Sequence, residues 1–195
     1  MDSNPALVLA SSSRYRAELL ARLRIPFEQA APDLDESALP GESCAATAER
    51  LAAAKARAIG SRFPGALIIG SDQVADLDGE AVGKPGDYDH AIRQLRRQQG
   101  RSAIFHTAVA LFDTRSGKMD VRNVPTRVRF RDRSDAELQR YLQLEQPYDC
   151  AGSAKAEALG IVLTERIESD DPTALIGLPL IALTGMLESA GFRLL

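Results

Sequence analysis

The chain has 195 residues, 45% of them hydrophobic and 26% charged, which is enough apolar material for one large domain or two closely joined lobes. Its 24 Lys and Arg against 27 Asp and Glu give a formal net charge of −3, which excludes non-specific duplex binding through a basic face but leaves room for a local basic pocket. No apolar run approaches the ~18 residues of a membrane span, and Met1–Pro5 lacks the basic start and apolar stretch of a signal peptide, so a cytoplasmic protein without a membrane or nucleic-acid partner is expected.

In chain order, residues 6–10 read as a short buried strand that feeds a helix over 14–23. The junction holds Ser11, Ser12, Ser13, Arg14, Tyr15 and Arg16. Free N–H groups and the macrodipole make a helix N-terminus favourable for anions, and hydroxyls and guanidiniums add to that. A phosphate chain is the natural guest. A serine N-cap with solvated arginines accounts for the same residues. Residues 26–31 read as extended and 32–42 as an acidic, proline-containing loop. An alanine-rich helix follows over 44–62, with Leu51, Lys55 and Ile59 at helical spacing.

A second buried strand is expected over 66–70, ending in Gly70, Ser71, Asp72 and Gln73. A hairpin from Val74 to Val82 turns at Asp78 and Gly79. Residues 87–98 form a polar helix, and 102–112 and 119–131 two long strands joined across 113–117. Ser134 and Glu137 make a capping box for a helix running to about Glu145. A loop over 150–160, a last strand over 161–167 and an apolar helix opened by Gly177, Leu178 and Pro179 complete the chain. The whole reads as α/β, a mixed, bent sheet flanked by helices, in two lobes with a central cleft. Cys44 and Cys150 form no CxxC pair and read as buried free thiols.

Several residues point to chemistry. Ligands of open α/β sheets gather outside the carboxyl ends of strands, so Asp72 could orient a water or hold a metal; a turn aspartate bonded to its own backbone is the alternative. Gly83, Lys84 and Pro85 fail as a P-loop, because Gly79 is one residue too close and Pro85 replaces the Ser/Thr, yet Lys84 remains a candidate phosphate clamp. Glu36, after Asp33 and Asp35, could share a hard cation with Asp72, or belong to a solvated acidic loop. Lys55 lies on the apolar side of its helix, where snorkelling also explains it. With only His90 and His106, no HxxxH, no GxSxG and no GxGxxG after a strand, zinc-hydrolase, serine-hydrolase and dinucleotide chemistries are disfavoured.

Taken together, the segments 9–20, Asp35-Glu36, 51–55, Gly70–Asp72, Gly83–Pro85 and Gly177–Pro179 resemble the Maf family of nucleoside triphosphate pyrophosphatases. The resemblance covers nearly the whole chain and implies a single domain over 1–195, related in fold to inosine triphosphate pyrophosphatases. It also implies a divalent cation (Mg²⁺ or Mn²⁺) and cleavage of a nucleoside triphosphate to monophosphate and pyrophosphate. A homodimer is compatible with it. The first motif departs from the commonest family form, reading Ser13, Arg14, Tyr15, Arg16 in place of Ser-Pro-Arg-Arg. Gln73 and Glu157 replace the threonine and glutamine typical of members acting on dTTP and UTP, and the segments 71–74 and 150–157 resemble the subgroup hydrolysing 7-methyl-GTP.

On that resemblance Ser11, Ser13, Arg16, Lys55 and Lys84 bind phosphates, Glu36 and Asp72 hold the cation, and Asp72 takes a proton from water attacking the α-phosphorus. A carboxylate with a pKa near ~3.9 is a poor base, so a metal must acidify the water or burial must raise Asp72. Tyr15 would attract the cationic methylated base, Glu157 would accept from its N1–H and exocyclic amine, and Gln73 would reach O6 or the ribose. Tyr15 packed between lobes and a solvated Glu157 fit the same letters. The competing functions are the same hydrolysis on dTTP, UTP or another modified nucleotide, and a regulator of cell division that binds a triphosphate without cleaving it.

Overall fold

A computed structural model describes residues 4–195; Met1, Asp2 and Ser3, on which part of the signal-peptide expectation rests, lie outside the described residues. The elements in order are β1 (Leu7–Ala10), α1 (Arg14–Ala21), β2 (Glu28–Gln29), α2 (Cys44–Ala58), β3 (Leu67–Leu77), β4 (Glu80–Val82), α3 (Tyr88–Gln98), β5 (Ser102–Asp113), β6 (Lys118–Phe130), α4 (Asp135–Glu145), β7 (Thr164–Glu168) and α5 (Leu180–Ser189). They form one mixed sheet in the order β2-β1-β3-β5-β6-β7, with β4 paired to β3. β1 runs parallel to β2 and β3, and the remaining pairs are antiparallel. Among the described residues no helix is long and apolar enough to cross a membrane.

The alternation of side chains along a strand divides the sheet into two faces. On one face, Val8, Ala10, Ile68, Ala108 and Ala110 pack under the alanines of α2. A side chain at Gly70 would bring a Cβ to 2.0 Å from the Ala52 carbonyl, so only glycine lets α2 lie this close. The other face carries two separate apolar clusters. Leu7, Leu9, Leu67 and Ile69 pack with α1 and α5, and Ala75, Leu77, Phe105 and Val128 pack with α3 and α4.

Between these clusters the same face turns polar. Buried Ser71 and Thr107 and half-buried Gln73 bond the carbonyls of Ala174, Leu175 and Gly177, seating the 174–177 segment across the sheet. The two lobes of the sequence reading are these two clusters on one continuous sheet.

Most expected elements are present, including the Asp78–Gly79 turn and the Ser134–Glu137 capping box. Three boundaries differ by more than two residues. β3 does not end at Gly70 but continues to Leu77, because β5 pairs with it from Leu67↔Asp113 to Asp76↔Ile104 and supplies partners to the backbone of 71–73. Asp72 is therefore inside a strand rather than at its exit. α2 ends at Ala58, and Gly60–Arg62 is a separate 3₁₀ turn. The last strand starts at Thr164, since Leu159–Leu163 winds as a 3₁₀ turn that buries Leu163 and leaves Ile161 and Val162 exposed.

Candidate active site

β1 stops at Ala10, opposite Gly70, while β3 runs on, so Asp72 lies two residues beyond the end of its parallel neighbour. The space left by β1 is filled by the turn into α1. Ser11, buried, accepts the Ser13 amide at 3.1 Å and Arg16 Nη1 at 3.3 Å through Oγ. Ser13 is the N-cap, its Oγ accepting the Arg16 amide at 3.4 Å. Both hydroxyls thus act as acceptors for the turn and donate to no protein group among the described residues. Arg16 is half-buried and donates through Nε to the Gly177 carbonyl at 2.9 Å. Burial lowers its pKa, while the negative charges of Asp72 and Glu36 act in the opposite sense.

The same Gly177 carbonyl lies 2.9 Å from Ser71 Oγ, so one peptide oxygen ties α1 to the polar band. Gly177 has φ 123°, a conformation that disfavours any side chain.

Asp72 points to the α2 face. Its Oδ1 accepts from Lys55 Nζ at 2.6 Å, and the same Nζ donates to Glu36 Oε2 at 2.9 Å. Lys55 is 5% exposed and Asp72 6%, whereas the Glu36 side chain is 56% exposed. The helical spacing that put Lys55 on the buried side of α2 was legible, and its ammonium pairs with two carboxylates instead of snorkelling to solvent. Among the described residues Asp72 Oδ2 has no hydrogen-bond partner, and it stays open to solvent. Burial pushes the Asp72 pKa above the usual carboxylate range; Lys55 and Arg16 pull it down, and Glu36 pushes it up. Formally the four side chains sum to zero charge, so an incoming triphosphate needs further positive charge.

A cleft of about 280 Å³ opens between α1 and the 155–158 segment, lined by Arg14, Tyr15, Lys155, Glu157 and Ile176 among others. It brings Tyr15 and Glu157 together from the two lobes. Tyr15 accepts from Arg14 Nη2 at 2.9 Å, and Arg14 and Lys155 lie 4.8 and 5.5 Å from its ring centroid. Partial desolvation in the cleft wall raises the Glu157 pKa, opposed by its own backbone amide and by Lys155.

Gln73 is not in that wall. It faces away from Asp72, and its Nε2 is shared among Thr107 Oγ1, Leu175 O and Ala174 O at 2.9 to 3.1 Å. Its Oε1 has no partner among the described residues and is open to solvent. Lys84 is exposed and without an ion pair among the described residues; the preceding Gly83 carbonyl accepts from the Gly152 amide and Gln94. The sequence reading missed Ser71, Thr107, Glu145 and Lys155. Strand alternation through 71–73 would have shown that Ser71 and Gln73 share a face and Asp72 does not.

Among the described residues no three His, Cys, Asp or Glu side chains converge as a ready-made metal site. Glu36 and Asp72 do converge on a shared point, the Lys55 ammonium. Magnesium is commonly held by one or two carboxylates together with substrate phosphates; this oxygen-only pair has the donor chemistry for that, and an ion held by both would displace the Lys55 ammonium from the point they share. Both thiols are free, but only Cys44 is buried as expected; Cys150 is half-buried, and partial desolvation pushes its thiol up to about 12.

A buried acid held by a lysine thus lies beside a helix start rich in unspent donors and an adjoining cleft, on the mixed sheet of an α/β protein. Residues 6–190 match the family described as Maf-like protein, and the chain belongs to that family. It is 60% identical over 191 residues to the 7-methyl-GTP pyrophosphatase of Cupriavidus metallidurans, covering 98% of this chain and 96% of that protein. The 7-methyl-GTP pyrophosphatase of Thiobacillus denitrificans is 58% identical over 193 residues, covering 99% and 96%. A solved nucleoside-triphosphatase / dITP/XTP pyrophosphatase from Mycobacterium abscessus shares 20% identity at a TM-score of 0.41, covering 64% of this chain and 72% of that one.

Proposed function

We propose that this protein is a hydrolase that converts 7-methyl-GTP to 7-methyl-GMP and pyrophosphate, working in the cytoplasm to remove a modified nucleotide from the pool. The observation that carries the reading is the buried Asp72 with one oxygen on Lys55 and the other open to solvent, next to Arg16 and the start of α1. The high identity of the named relatives over nearly their full length supports the choice of substrate.

The triphosphate lies across the start of α1. Ser11 and Ser13 donate their unused O–H groups to it, and Arg16, Lys55 and Lys84 neutralise its oxygens. Asp72 Oδ2 accepts a proton from a water as that water's oxygen bonds to the α-phosphorus. The bond from the α-phosphorus to the bridging oxygen breaks, and pyrophosphate leaves with the electron pair. Burial makes Asp72 a stronger base than a free aspartate, which is the direction this step requires. A Mg²⁺ or Mn²⁺ ion held by Glu36 and Asp72 would supply charge neutralisation and acidify the water.

The base enters the cleft. Glu157 accepts from guanine N1–H and the exocyclic amine, and its charge complements the methylated ring. Tyr15 forms the opposite wall, where Arg14 and Lys155 must yield part of its ring for a cationic base to stack. Gln73 braces the 174–176 turn that carries Ile176 into the cleft, with Oε1 left to accept from the nucleotide.

A panel of 7-methyl-GTP, GTP, dTTP and UTP, assayed for pyrophosphate release with and without Mg²⁺, tests the reading. Preference for 7-methyl-GTP is expected. Equal or greater kcat/KM on dTTP or UTP would overturn the substrate, and binding without turnover would favour a non-catalytic sensor.

A further inference from the structure

The segment from Lys155 to Leu159, with Glu157 at its middle, is fastened to one side chain at both ends. Glu145, the last residue of α4, accepts the Leu159 amide at 3.0 Å through Oε2 and pairs with Lys155 Nζ at 3.1 Å through Oε1. The Glu145 side chain is only 12% exposed, so this attachment is shielded from solvent. The held ammonium lies 5.5 Å from the centroid of the Tyr15 ring, carrying a cation of one lobe to an aromatic face of the other.

The cleft walls carry Arg14, Arg22 and Lys155 against Glu18 and Glu157. Their formal sum is one positive charge until Glu145, behind the wall, cancels that of Lys155. A site meant for a cationic purine gains from that cancellation, and a site meant for a neutral purine does not.

We propose that the Lys155–Glu145 ion pair is a specificity determinant: by neutralising Lys155 in place beside Tyr15, Glu145 lets the cleft favour a positively charged base over its neutral counterpart. The proposal rests on the 7-methyl-GTP reading above. Neither side chain touches the scissile phosphate in this account, so both act through the charge presented to the base.

The test uses the full chain and compares kcat/KM for 7-methyl-GTP and GTP in wild type, Lys155→Met and Glu145→Gln. Methionine removes a cation from the cleft and raises the 7-methyl-GTP to GTP ratio roughly three- to tenfold, as expected for one charge at partly screened range. Glutamine keeps an acceptor for the Leu159 amide but leaves Lys155 uncompensated, and lowers the ratio by a similar factor. A structural role alone would send both variants the same way or weaken both substrates equally. Opposite shifts support the proposal, and any other pattern overturns it. Should Glu145→Gln fail to fold, Lys155→Met is read against Lys155→Arg, which keeps the charge and leaves the ratio unchanged. Wild-type protein inactive on 7-methyl-GTP would instead overturn the functional reading, and this inference with it; wild-type turnover with an unmoved ratio overturns the inference alone.

Discussion

Replacing Asp72 by asparagine keeps the shape of the side chain and removes its charge and basicity. A positioned general base contributes roughly 10² to 10⁴ in rate, so kcat falls by about 10³, or about 4 kcal/mol of barrier. The fold should survive this change. Burial holds the Asp72 pKa above its ordinary value, so the folded state binds that proton more tightly than the unfolded chain does. Stability from this group is therefore fullest below the unfolded pKa near ~3.9 and declines as pH rises through the folded value. At neutral pH the charge is a net cost to folding, which asparagine removes.

Against that gain, Lys55 loses one charged partner, while it keeps an amide oxygen and Glu36. The two effects oppose each other and leave a net change within about 1 kcal/mol, or ~2–4 °C in Tm for a chain of this size. Pyrophosphate release measures the first quantity and thermal unfolding the second. Turnover within tenfold of wild type would refute the role of Asp72, and a Tm loss beyond 10 °C (roughly 3 kcal/mol) would refute the charge argument.

Lys55→Met strands the buried Asp72 carboxylate and costs about 3 kcal/mol in urea unfolding. Its acid limb of kcat, set by Asp72, moves to higher pH; an unshifted limb would separate Lys55 from the base. Glu157→Gln raises KM for 7-methyl-GTP about tenfold with kcat nearly unchanged, because a charge-assisted acceptor is lost from the base alone. Equal effects on dTTP would count against base contact. Gly177→Ala forces a side chain into φ 123° and disturbs the carbonyl shared by Arg16 and Ser71; about 1–3 kcal/mol is lost, read as a lower Tm. Chelation with EDTA abolishes turnover, and Mg²⁺ or Mn²⁺ restores it; full activity in EDTA would remove the cation from the reaction.

Local signals carried much of the fold. Apolar runs, Ser13, the Ser134–Glu137 box and the Asp78–Gly79 turn each act within a few residues, and each located its element. The longest error came at Gly70, read as the end of a strand. Nothing local distinguishes a glycine that ends a strand from one that admits a helix backbone, and only the pairing of β5 reveals the difference. The grouping of the candidate site residues was legible in the same uneven way. Ser11, Arg16, Lys55 and Asp72 follow from a strand, a helix phase and a motif order. Glu145 carries no such mark, since its value depends on Lys155 and Leu159 meeting it ten and fourteen residues later.

Adjacent letters, Asp72 and Gln73, leave the same strand in opposite directions. In the proposed reading the reacting centre and the segment framing the base therefore draw on opposite faces of one strand, and a single nucleotide reaches both where β1 stops at Ala10. Such a layout permits independent adjustment: a library randomised at positions 15, 155 and 157 could explore new nucleobases while the hydrolytic machinery stays untouched, giving one scaffold many diets.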